Sequence, residues 1–271
     1  MIETDGLEKD FGAFTAVRGL DLQVGQGELF GLLGPNGAGK TTTLRMLTGV
    51  LRPSRGTARV AGFDVVEREF EVKRRVGYVA DPPFLYDRLS GLEYIRFLAG
   101  LWGHDPAATV ERAGRYLRLL GLEERAGHRV ESYSHGMRRK LALASVLARE
   151  PAVLFLDEPT SGLDPRAARA VKDLLGELTE GGVTVLFSTH VMEIAEAICH
   201  RVGIIHEGDL VAVGDMEALR RQARAGAPGG PPQEPRPEEE TGGSATLEEI
   251  FLQVTGGEEA EDLGRALESG H

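Results

Sequence analysis

Residues 34–41 read Gly34-Pro35-Asn36-Gly37-Ala38-Gly39-Lys40-Thr41, and this stretch decides the fold of the chain. Its glycines allow the backbone to curl, so that successive N–H groups point inward at a bound anion. Lys40 supplies a positive charge for the outer phosphates of a nucleotide, and the hydroxyl of Thr41 is suited to a magnesium ion. The stretch therefore predicts a loop that binds nucleotide phosphates.

The residues on either side of the loop have the pattern that a phosphate-binding loop requires. Residues 28–33 form a short apolar run typical of a buried strand, and a helix is expected from about residue 40 to residue 47. The positive end of that helix faces the same phosphates as the loop. The strand, loop and helix together argue against a chance glycine-rich turn.

The composition is that of an ordinary globular protein with an acidic balance. The chain has 271 residues and a formal net charge of −11, whereas a general nucleic-acid binder normally has a basic surface. The single cysteine, Cys199, cannot form an internal disulfide, and its apolar surroundings in the sequence favour a buried thiol. The N-terminus does not resemble a signal peptide, and every apolar run is too short to span a bilayer. We therefore expect a chain that neither crosses a membrane by itself nor binds nucleic acid.

The first half of the chain predicts an α/β core with a helical insertion. Short strands and turns fill residues 2–33, and further strands are expected at 57–61 and 76–79. Residues 82–150 change character, because helical periodicity replaces the strand and turn patterns. We interpret this region as a helical subdomain inserted into the core.

The core resumes with a strand at 152–156, whose continuous apolar run is typical of a buried parallel strand. Asp164 is expected to cap a helix that begins at Pro165, and a second buried strand is expected at 183–188. A helix and two more strands are predicted between residues 191 and 213.

The domain boundaries follow from composition. Residues 2–220 are predicted to form the nucleotide-binding domain. Residues 221–245 are rich in Gly, Pro and Glu and predict a disordered linker. Residues 246–271 comprise a short amphipathic segment and an acidic tail.

Two acids and a histidine follow the predicted core strands. Asp157 and Glu158 come directly after the strand at 152–156, and His190 follows the strand at 183–188. The carboxyl ends of parallel strands form the edge of a sheet where ligands bind. Asp157 is suited to holding magnesium, Glu158 to activating a water molecule, and His190 to contacting a γ-phosphate. The alternative for the two acids is an acidic pair that caps a helix.

The order of these motifs resembles the ATPase subunits of ATP-binding cassette (ABC) transporters. The residues that carry the resemblance are the loop 34–41, Tyr133-Ser134-His135-Gly136-Met137, the run 153–158 with Pro159, Ser161-Gly162-Leu163-Asp164, and His190. The segment at 133–137, about twenty residues before the acids, distinguishes this family from other phosphate-loop NTPases. The resemblance implies a RecA-like P-loop NTPase core with an N-terminal antiparallel β subdomain and an inserted α-helical subdomain.

The resemblance also implies roles for individual residues, with ATP and Mg²⁺ as the bound species. Ser134 and Gly136 are expected to contact the γ-phosphate of ATP held by a second copy, or by a paralogous subunit, in a head-to-tail dimer. Phe11 is expected to stack on adenine, with packing in the hydrophobic core as the alternative. The implied nucleotide-binding residues are Phe11, Gly34, Pro35, Asn36, Gly37, Ala38, Gly39, Lys40, Thr41, Thr42, Ser134, Gly136 and His190. The implied metal ligands are Thr41, Asp157 and Asp81, and the implied catalytic residues are Glu158, His190 and Lys40.

Two departures from the family pattern matter. The signature commonly reads Leu-Ser-Gly-Gly-Gln, whereas His135 and Met137 replace the first Gly and the Gln here, a variant that looks like the exporter branch. Asp81 stands where the family usually has a Gln that touches magnesium and water. Its shorter, charged side chain is expected either to bind the metal less directly or to act through the loop that it anchors.

The leading hypothesis is the ATP-hydrolysing motor of an exporter, bound to a separate integral-membrane permease on the cytoplasmic side of the cell membrane. The permease is expected to dock near residues 81–87, where Phe84 and Leu85 offer apolar side chains, with core packing as the alternative. A soluble ABC ATPase acting on nucleic acid or ribosomes is the competing function, and the acidic charge disfavours it. The basic run Arg138-Arg139-Lys140 is interpreted as a solvated helix face.

Overall fold

The computed structural model describes residues 1–225 and 245–255. The strands are β1 (Ile2–Phe11), β2 (Phe14–Val24), β3 (Leu29–Leu33), β4 (Arg55–Val60), β5 (Phe63–Asp64), β6 (Val76–Val79), β7 (Val153–Asp157), β8 (Thr184–Thr189), β9 (Arg201–His206) and β10 (Asp209–Gly214). The α-helices are α1 (Lys40–Leu47), α2 (Glu69–Arg75), α3 (Gly91–Leu101), α4 (Pro106–Leu119), α5 (His135–Leu147), α6 (Pro165–Glu180), α7 (Met192–Ile198), α8 (Met216–Ala225) and α9 (Leu247–Val254).

A four-stranded antiparallel sheet in the order β2-β1-β4-β5 forms the N-terminal part of the fold. Ile2 of β1 lies opposite Val24 of β2 on one side and Val60 of β4 on the other, and all three are buried. The alternation of buried and exposed positions along these strands is the period-2 pattern of a sheet with one solvated face.

A six-stranded sheet in the order β10-β9-β3-β8-β7-β6 forms the core. Every pairing is parallel except that of β10 with β9. All residues of β3, β7 and β8 are buried, which explains their continuous apolar runs. Since these three strands are neighbours, the loops that follow them emerge side by side at the carboxyl edge of the sheet.

The helical subdomain consists of α3, α4 and α5, which lie within the predicted range 82–150 and pack on one another. Ser90 and Glu93 form a reciprocal capping box at the start of α3, and Asp105 caps α4. Buried leucines of α5, such as Leu141, belong to the same hydrophobic cluster as residues of the six-stranded sheet. The subdomain is therefore continuous with the core at α5.

Three elements differ from the sequence prediction. The short helix α2 and the two-residue strand β5 were not predicted, because neither is long enough to show a period. Helix α8 extends to residue 225, so the first residues of the predicted linker at 221–245 are helical. Residues 226–244 of that linker and residues 256–271 of the predicted tail lie outside the described residues.

Helix α9 occupies the predicted amphipathic segment after the linker. Thr246 and Glu249 form a capping box at its start, and Leu247, Ile250 and Phe251 are buried on its inner face. The helix packs against α7 and α8, and Arg220 of α8 donates a hydrogen bond to the carbonyl oxygen of Ala245, 2.9 Å away. Within residues 1–225 and 245–255, every helix falls short of the length and apolarity that crossing a bilayer requires.

Candidate nucleotide-binding site

The phosphate loop joins β3 to α1 and has a backbone path that only glycine permits at two points. Gly39 has a φ of 107°, and a Cβ atom there would lie 2.5 Å from the carbonyl oxygen of Ala16. A Cβ atom on Gly34 would lie 2.1 Å from the carbonyl oxygen of Ile205. Both distances are far below a van der Waals contact, so the spacing of glycines in the sequence is set by the close approach of neighbouring strands.

Lys40 is the first residue of α1, and its side chain folds back over the loop. Its Nζ atom donates hydrogen bonds to the carbonyl oxygens of Gly34, at 2.6 Å, and Pro35, at 2.9 Å. Oε1 of Glu158 lies 4.0 Å from the same nitrogen. Burial lowers the pKa of Lys40, and the charges of Glu158 and Asp157 oppose that shift. The ammonium group is thus placed beside the loop and beside both acids.

Thr41 and Asp157 form an oxygen-rich pair suited to a divalent cation. The hydroxyl of Thr41 donates to Oδ2 of Asp157 across 2.8 Å, and the hydroxyl of Ser188 donates to Oδ1. Asp157 is only 3% exposed, so its carboxylate is fixed by these partners. The described residues contain no cluster of three or more His, Cys, Asp or Glu that would hold a metal alone. The pairing of one carboxylate with one hydroxyl suits magnesium, which usually takes one or two protein carboxylates and completes its shell with water and substrate phosphates.

Glu158 is held in an unusual backbone conformation at the end of β7. Its φ of 49° lies in the left-handed region, which non-glycine residues seldom adopt outside turns and functional sites. The hydroxyl of Thr189 donates to Oε2 across 3.3 Å, and Nδ1 of His190 lies 2.9 Å from Oε1. The side chain of Glu158 is 13% exposed and that of His190 is 49% exposed. Each carboxylate oxygen therefore has a partner, one from the last residue of β8 and one from the residue that follows it.

Lys40, Thr41, Asp157 and Glu158 line one cavity of about 410 Å³. Phe11 is 51% exposed at its edge, so the alternative that Phe11 packs in the hydrophobic core is wrong. Phe14 lies opposite Phe11 in the β1–β2 hairpin and is 61% exposed. The cavity is lined by Phe11, Phe14, Ala16, Asn36, Gly37, Gly39, Lys40, Thr41, Thr42, Asp81, Asp157 and Glu158.

The described residues that line this cavity do not include the two signature residues, Ser134 and Gly136. Ser134 caps α5 by accepting a hydrogen bond from the backbone N–H of Met137, at 3.3 Å. Gly136 packs closely on the loop before α6, because a Cβ atom there would lie 3.3 Å from the carbonyl oxygen of Gly162. Asp164 caps α6, and the backbone N–H of Ala167 holds its pKa below the usual range.

The basic run at 138–140 is not the solvated helix face that the sequence suggested. Arg139 is 9% exposed, and each residue of the run lies against an acid: two of these acids are in the loop between β6 and α3, and the third is in the loop before α6. The pairs are Arg138 with Asp87, Arg139 with Asp81, and Lys140 with Asp164. Composition alone predicted solvent exposure because the partners are distant in the sequence.

In the loop after β6, Phe84 and Leu85 were predicted to be either both exposed or both buried, but they differ in exposure. Leu85 is 7% exposed and belongs to the core, whereas Phe84 is 80% exposed. The ring of Phe84 packs edge-on against Tyr86, with centroids 5.6 Å apart, and Tyr86 packs in the same way against Phe97, at 5.1 Å. This group of three rings, called here the aromatic patch, lies at the surface of the helical subdomain.

Sequence reasoning missed four residues that hold or line the site, namely Phe14, Ala16, Ser188 and Thr189. Phe14 carries a visible signal, since an aromatic residue on each side of a glycine turn predicts a cross-strand pair. Ser188 and Thr189 precede His190 in the motif, but their bonds to the two acids depend on the pairing of β7 with β8. A larger open cavity, of about 630 Å³, lies on the antiparallel sheet, and none of the predicted site residues lines it.

The site has the parts of a P-loop nucleotide-binding domain. A glycine loop joins a strand to a helix, a buried acid binds the threonine of that loop, and a second acid lies beside a histidine. The chain belongs to the ABC transporter family, whose model matches residues 17–161. This match and the solved structures confirm two predictions from the sequence: the resemblance to ABC transporter ATPase subunits and the fold class.

Curated relatives and solved structures agree with this assignment. The probable multidrug ABC transporter ATP-binding protein YbhF of Escherichia coli (strain K12) is 38% identical over 94% of this chain, which spans only 41% of the length of that relative. The daunorubicin/doxorubicin resistance ATP-binding protein DrrA of Streptomyces peucetius is 41% identical over 81% of this chain and 66% of its own length. The Nod factor export ATP-binding protein I of Paraburkholderia xenovorans (strain LB400) is 42% identical over 80% of this chain and 72% of its own length. A solved structure of an ATP binding subunit of an ABC transporter is 30% identical, covers 94% of this chain and 99% of its own, and superposes with a TM-score of 0.81.

Proposed function

We propose that this chain is the ATP-hydrolysing motor of an ABC exporter and works with a separate integral-membrane permease at the cytoplasmic face of the cell membrane. The observation that carries the proposal is the convergence of Lys40, Thr41, Asp157 and Glu158 on one cavity, with His190 bonded to Glu158. These side chains come from the ends of three neighbouring core strands, which is where a nucleotide is bound and hydrolysed in such folds.

The proposed reaction is the attack of water on the γ-phosphorus of ATP. The bond between the γ-phosphorus and the bridging oxygen breaks, ADP leaves, and inorganic phosphate forms. Glu158 accepts a proton from the attacking water, because its carboxylate is held in place by Thr189 and His190. The fixed position matters because a general base works only within hydrogen-bond reach of the proton it removes.

The loop and the buried acid hold the substrate for this step. Backbone N–H groups of residues 34–41 and the ammonium of Lys40 bind the phosphates, and Phe11 stacks on the base. Thr41 and Asp157 would hold magnesium, with Asp81 at the edge of the same cavity. The metal supplies positive charge that offsets the charge developing on the phosphates.

We further propose that two copies complete each other's sites. Ser134 and Gly136 sit at the N-terminus of α5, outside the cavity of their own chain, where a helix end can bind a phosphate from a partner. ATP would then lie between the phosphate loop of one copy and the signature segment of the other. Hydrolysis removes the γ-phosphate that joins the copies, and their opening and closing drives transport.

The permease contact is proposed at the aromatic patch. Phe84, Tyr86 and Phe97 are 80%, 44% and 40% exposed, and exposed aromatic side chains of this kind are common anchors in protein interfaces. The direction of transport rests on the Ser-His-Gly-Met signature and on relatives whose names refer to drug resistance and to Nod factor export.

The test is a pull-down from native membranes with tagged Glu158→Gln protein and ATP. A multi-span membrane protein in stoichiometric yield supports the exporter motor. Adding Phe84→Ser should remove that partner, whereas Phe70→Ser should not, because Phe70 is 82% exposed on α2 and is not one of the three rings of the aromatic patch. Recovery of ribosomal or DNA-associated proteins without a membrane protein would overturn the transport assignment in favour of a soluble ABC ATPase.

A further inference from the structure

Three consecutive basic residues near the start of α5 tie the helix to two loops, the one between β6 and α3 and the one before α6. The side chains of successive helical residues point about 100° apart, so one turn of helix can reach both loops. The three ion pairs join Arg138 to Asp87, Arg139 to Asp81, and Lys140 to Asp164. One of these loops carries a residue that lines the nucleotide cavity, namely Asp81.

The pair between Arg139 and Asp81 is the least exposed of the three. The side chains of Arg139 and Asp81 are 10% and 32% exposed. Asp87 and Asp164, in the other two pairs, are 57% and 63% exposed. Exposed ion pairs contribute little, whereas a buried guanidinium without its counter-charge is strongly disfavoured. Nη2 of Arg139 donates a hydrogen bond to Oδ1 of Asp81, whereas Nε is buried without a hydrogen-bond partner among the described residues. The guanidinium therefore depends on Asp81 for its counter-charge.

Asp81 also changes the charge of the cavity. The lining side chains include three carboxylates, of Asp81, Asp157 and Glu158, and one ammonium, of Lys40. This balance disfavours a polyphosphate unless a cation accompanies it. Arg139 reaches Asp81 from α5 without itself lining the cavity, so it offsets one of the three negative charges.

We propose that Arg139 is a positioning residue for the nucleotide site, which sets the response to magnesium by holding and neutralising Asp81. When magnesium accompanies the nucleotide, the metal and Arg139 compete for the carboxylate of Asp81. Occupancy of the cavity is therefore linked to the ion pair that joins α5 to the loop carrying Asp81. This inference rests on the proposed nucleotide site, and it assigns Asp81 an ionic partner that the sequence did not suggest.

The test measures equilibrium binding of a fluorescent ADP analogue with magnesium and with EDTA, and takes the ratio of the two dissociation constants. Arg139→Gln removes the counter-charge of Asp81. The unpaired carboxylate then weakens binding of the nucleotide analogue in EDTA and is more available to the metal. We expect the preference for magnesium to rise about tenfold. Arg139→Lys should restore a ratio near that of the wild type.

The matched control is Arg138→Gln, which breaks an ion pair on the same helical turn whose acid does not line the cavity. Its ratio should equal that of the wild type. Equal ratios in Arg138→Gln and Arg139→Gln would overturn the inference, because a merely structural role for Arg139 would not alter the magnesium preference.

Should Arg139→Gln fail to fold, the double variant Asp81→Asn, Arg139→Gln removes both charges of the pair and is better tolerated. It should show a magnesium preference below that of the wild type and equal to that of Asp81→Asn alone. A preference unchanged from the wild type in both variants would overturn the inference. A wild-type chain that binds no nucleotide with or without magnesium would instead overturn the proposed function.

Discussion

Nδ1 of His190 lies 2.9 Å from Oε1 of Glu158, and the two residues come from the ends of adjacent strands. An ionised carboxylate only accepts hydrogen bonds, so Nδ1 carries the hydrogen and donates it. In a neutral ring, that assignment leaves Nε2 of His190 as the nitrogen without a hydrogen. Together with the left-handed backbone of Glu158, the bond fixes the direction of the carboxylate at the cavity.

The first prediction concerns Glu158→Gln. An amide cannot accept the proton of the attacking water, so turnover should fall by about 100-fold or more while ATP binding is kept. An ATP-bound dimer should accumulate, and size-exclusion chromatography with light scattering measures it. The matched control is Glu150→Gln, because Glu150 also has a positive φ, of 53°, but is exposed at the far end of β7. Wild-type turnover in Glu158→Gln would remove Glu158 from the role of base.

The second prediction concerns His190→Ala. Losing the bond to Oε1 frees the carboxylate of Glu158, so turnover should fall by roughly 10- to 100-fold. The affinity for ATP should change little, because His190 does not line the cavity. Steady-state kinetics should therefore show a loss in kcat, with His104→Ala as the control in an exposed loop. An effect confined to KM would contradict a role for His190 in orienting Glu158.

The third prediction concerns Phe11→Ala. Stacking of a base on an aromatic ring contributes about 1–3 kcal/mol, so nucleotide affinity should weaken by roughly tenfold. Phe14→Ala should have a smaller effect in the same direction, since Phe14 lines the same cavity. Phe70→Ala is the control, and isothermal titration gives the affinities. Equal affinities for all three variants would mean that the rings do not contact the base.

The fourth prediction concerns Lys40→Met. Burial lowers the pKa of Lys40, so folding disfavours its charged form. The unfolded chain holds that proton more tightly, so this cost is present at neutral pH and disappears as the pH rises through the window between the folded and unfolded pKa values. Removing the charge should leave the unfolding free energy at pH 7 unchanged or raise it by about 1 kcal/mol.

The same variant should lose the stabilisation that nucleotide gives. Thermal unfolding of the wild type in ATP at about 100 times its Kd should show a gain of about 2.7 kcal/mol, and Lys40→Met should show none. A large drop in Tm without nucleotide would mean that the bonds from Lys40 to Gly34 and Pro35 outweigh the cost of its burial.

The predictable parts of the fold are those that short motifs or runs of neighbouring residues indicate. The loop 34–41 could be found because it follows an apolar run typical of a buried strand, and the acids Asp157 and Glu158 could be found for the same reason. The order of the strands in the sheet was not predicted, because β3, β8 and β7 are neighbours in space but not in the chain.

The parts that were not predictable depend on contacts between distant segments. The run 138–140 has the composition of a solvated face, and only the folded chain shows that three acids from two loops pair with it. Phe84 and Leu85 are adjacent apolar residues, yet the chain direction at that point sends one ring outward and the other side chain into the core. A sequence pattern records periodicity but not the direction of an irregular loop.

The separation of Ser134 and Gly136 from the cavity of their own chain has a consequence for how activity depends on amount. If each site needs a neighbour, the rate per chain should rise with chain concentration and vanish on dilution. Tethering two copies to one permease would raise their effective concentration to the millimolar range without any change in the site. A chain that has not found its membrane partner would then hydrolyse little ATP, so assembly itself would act as the switch.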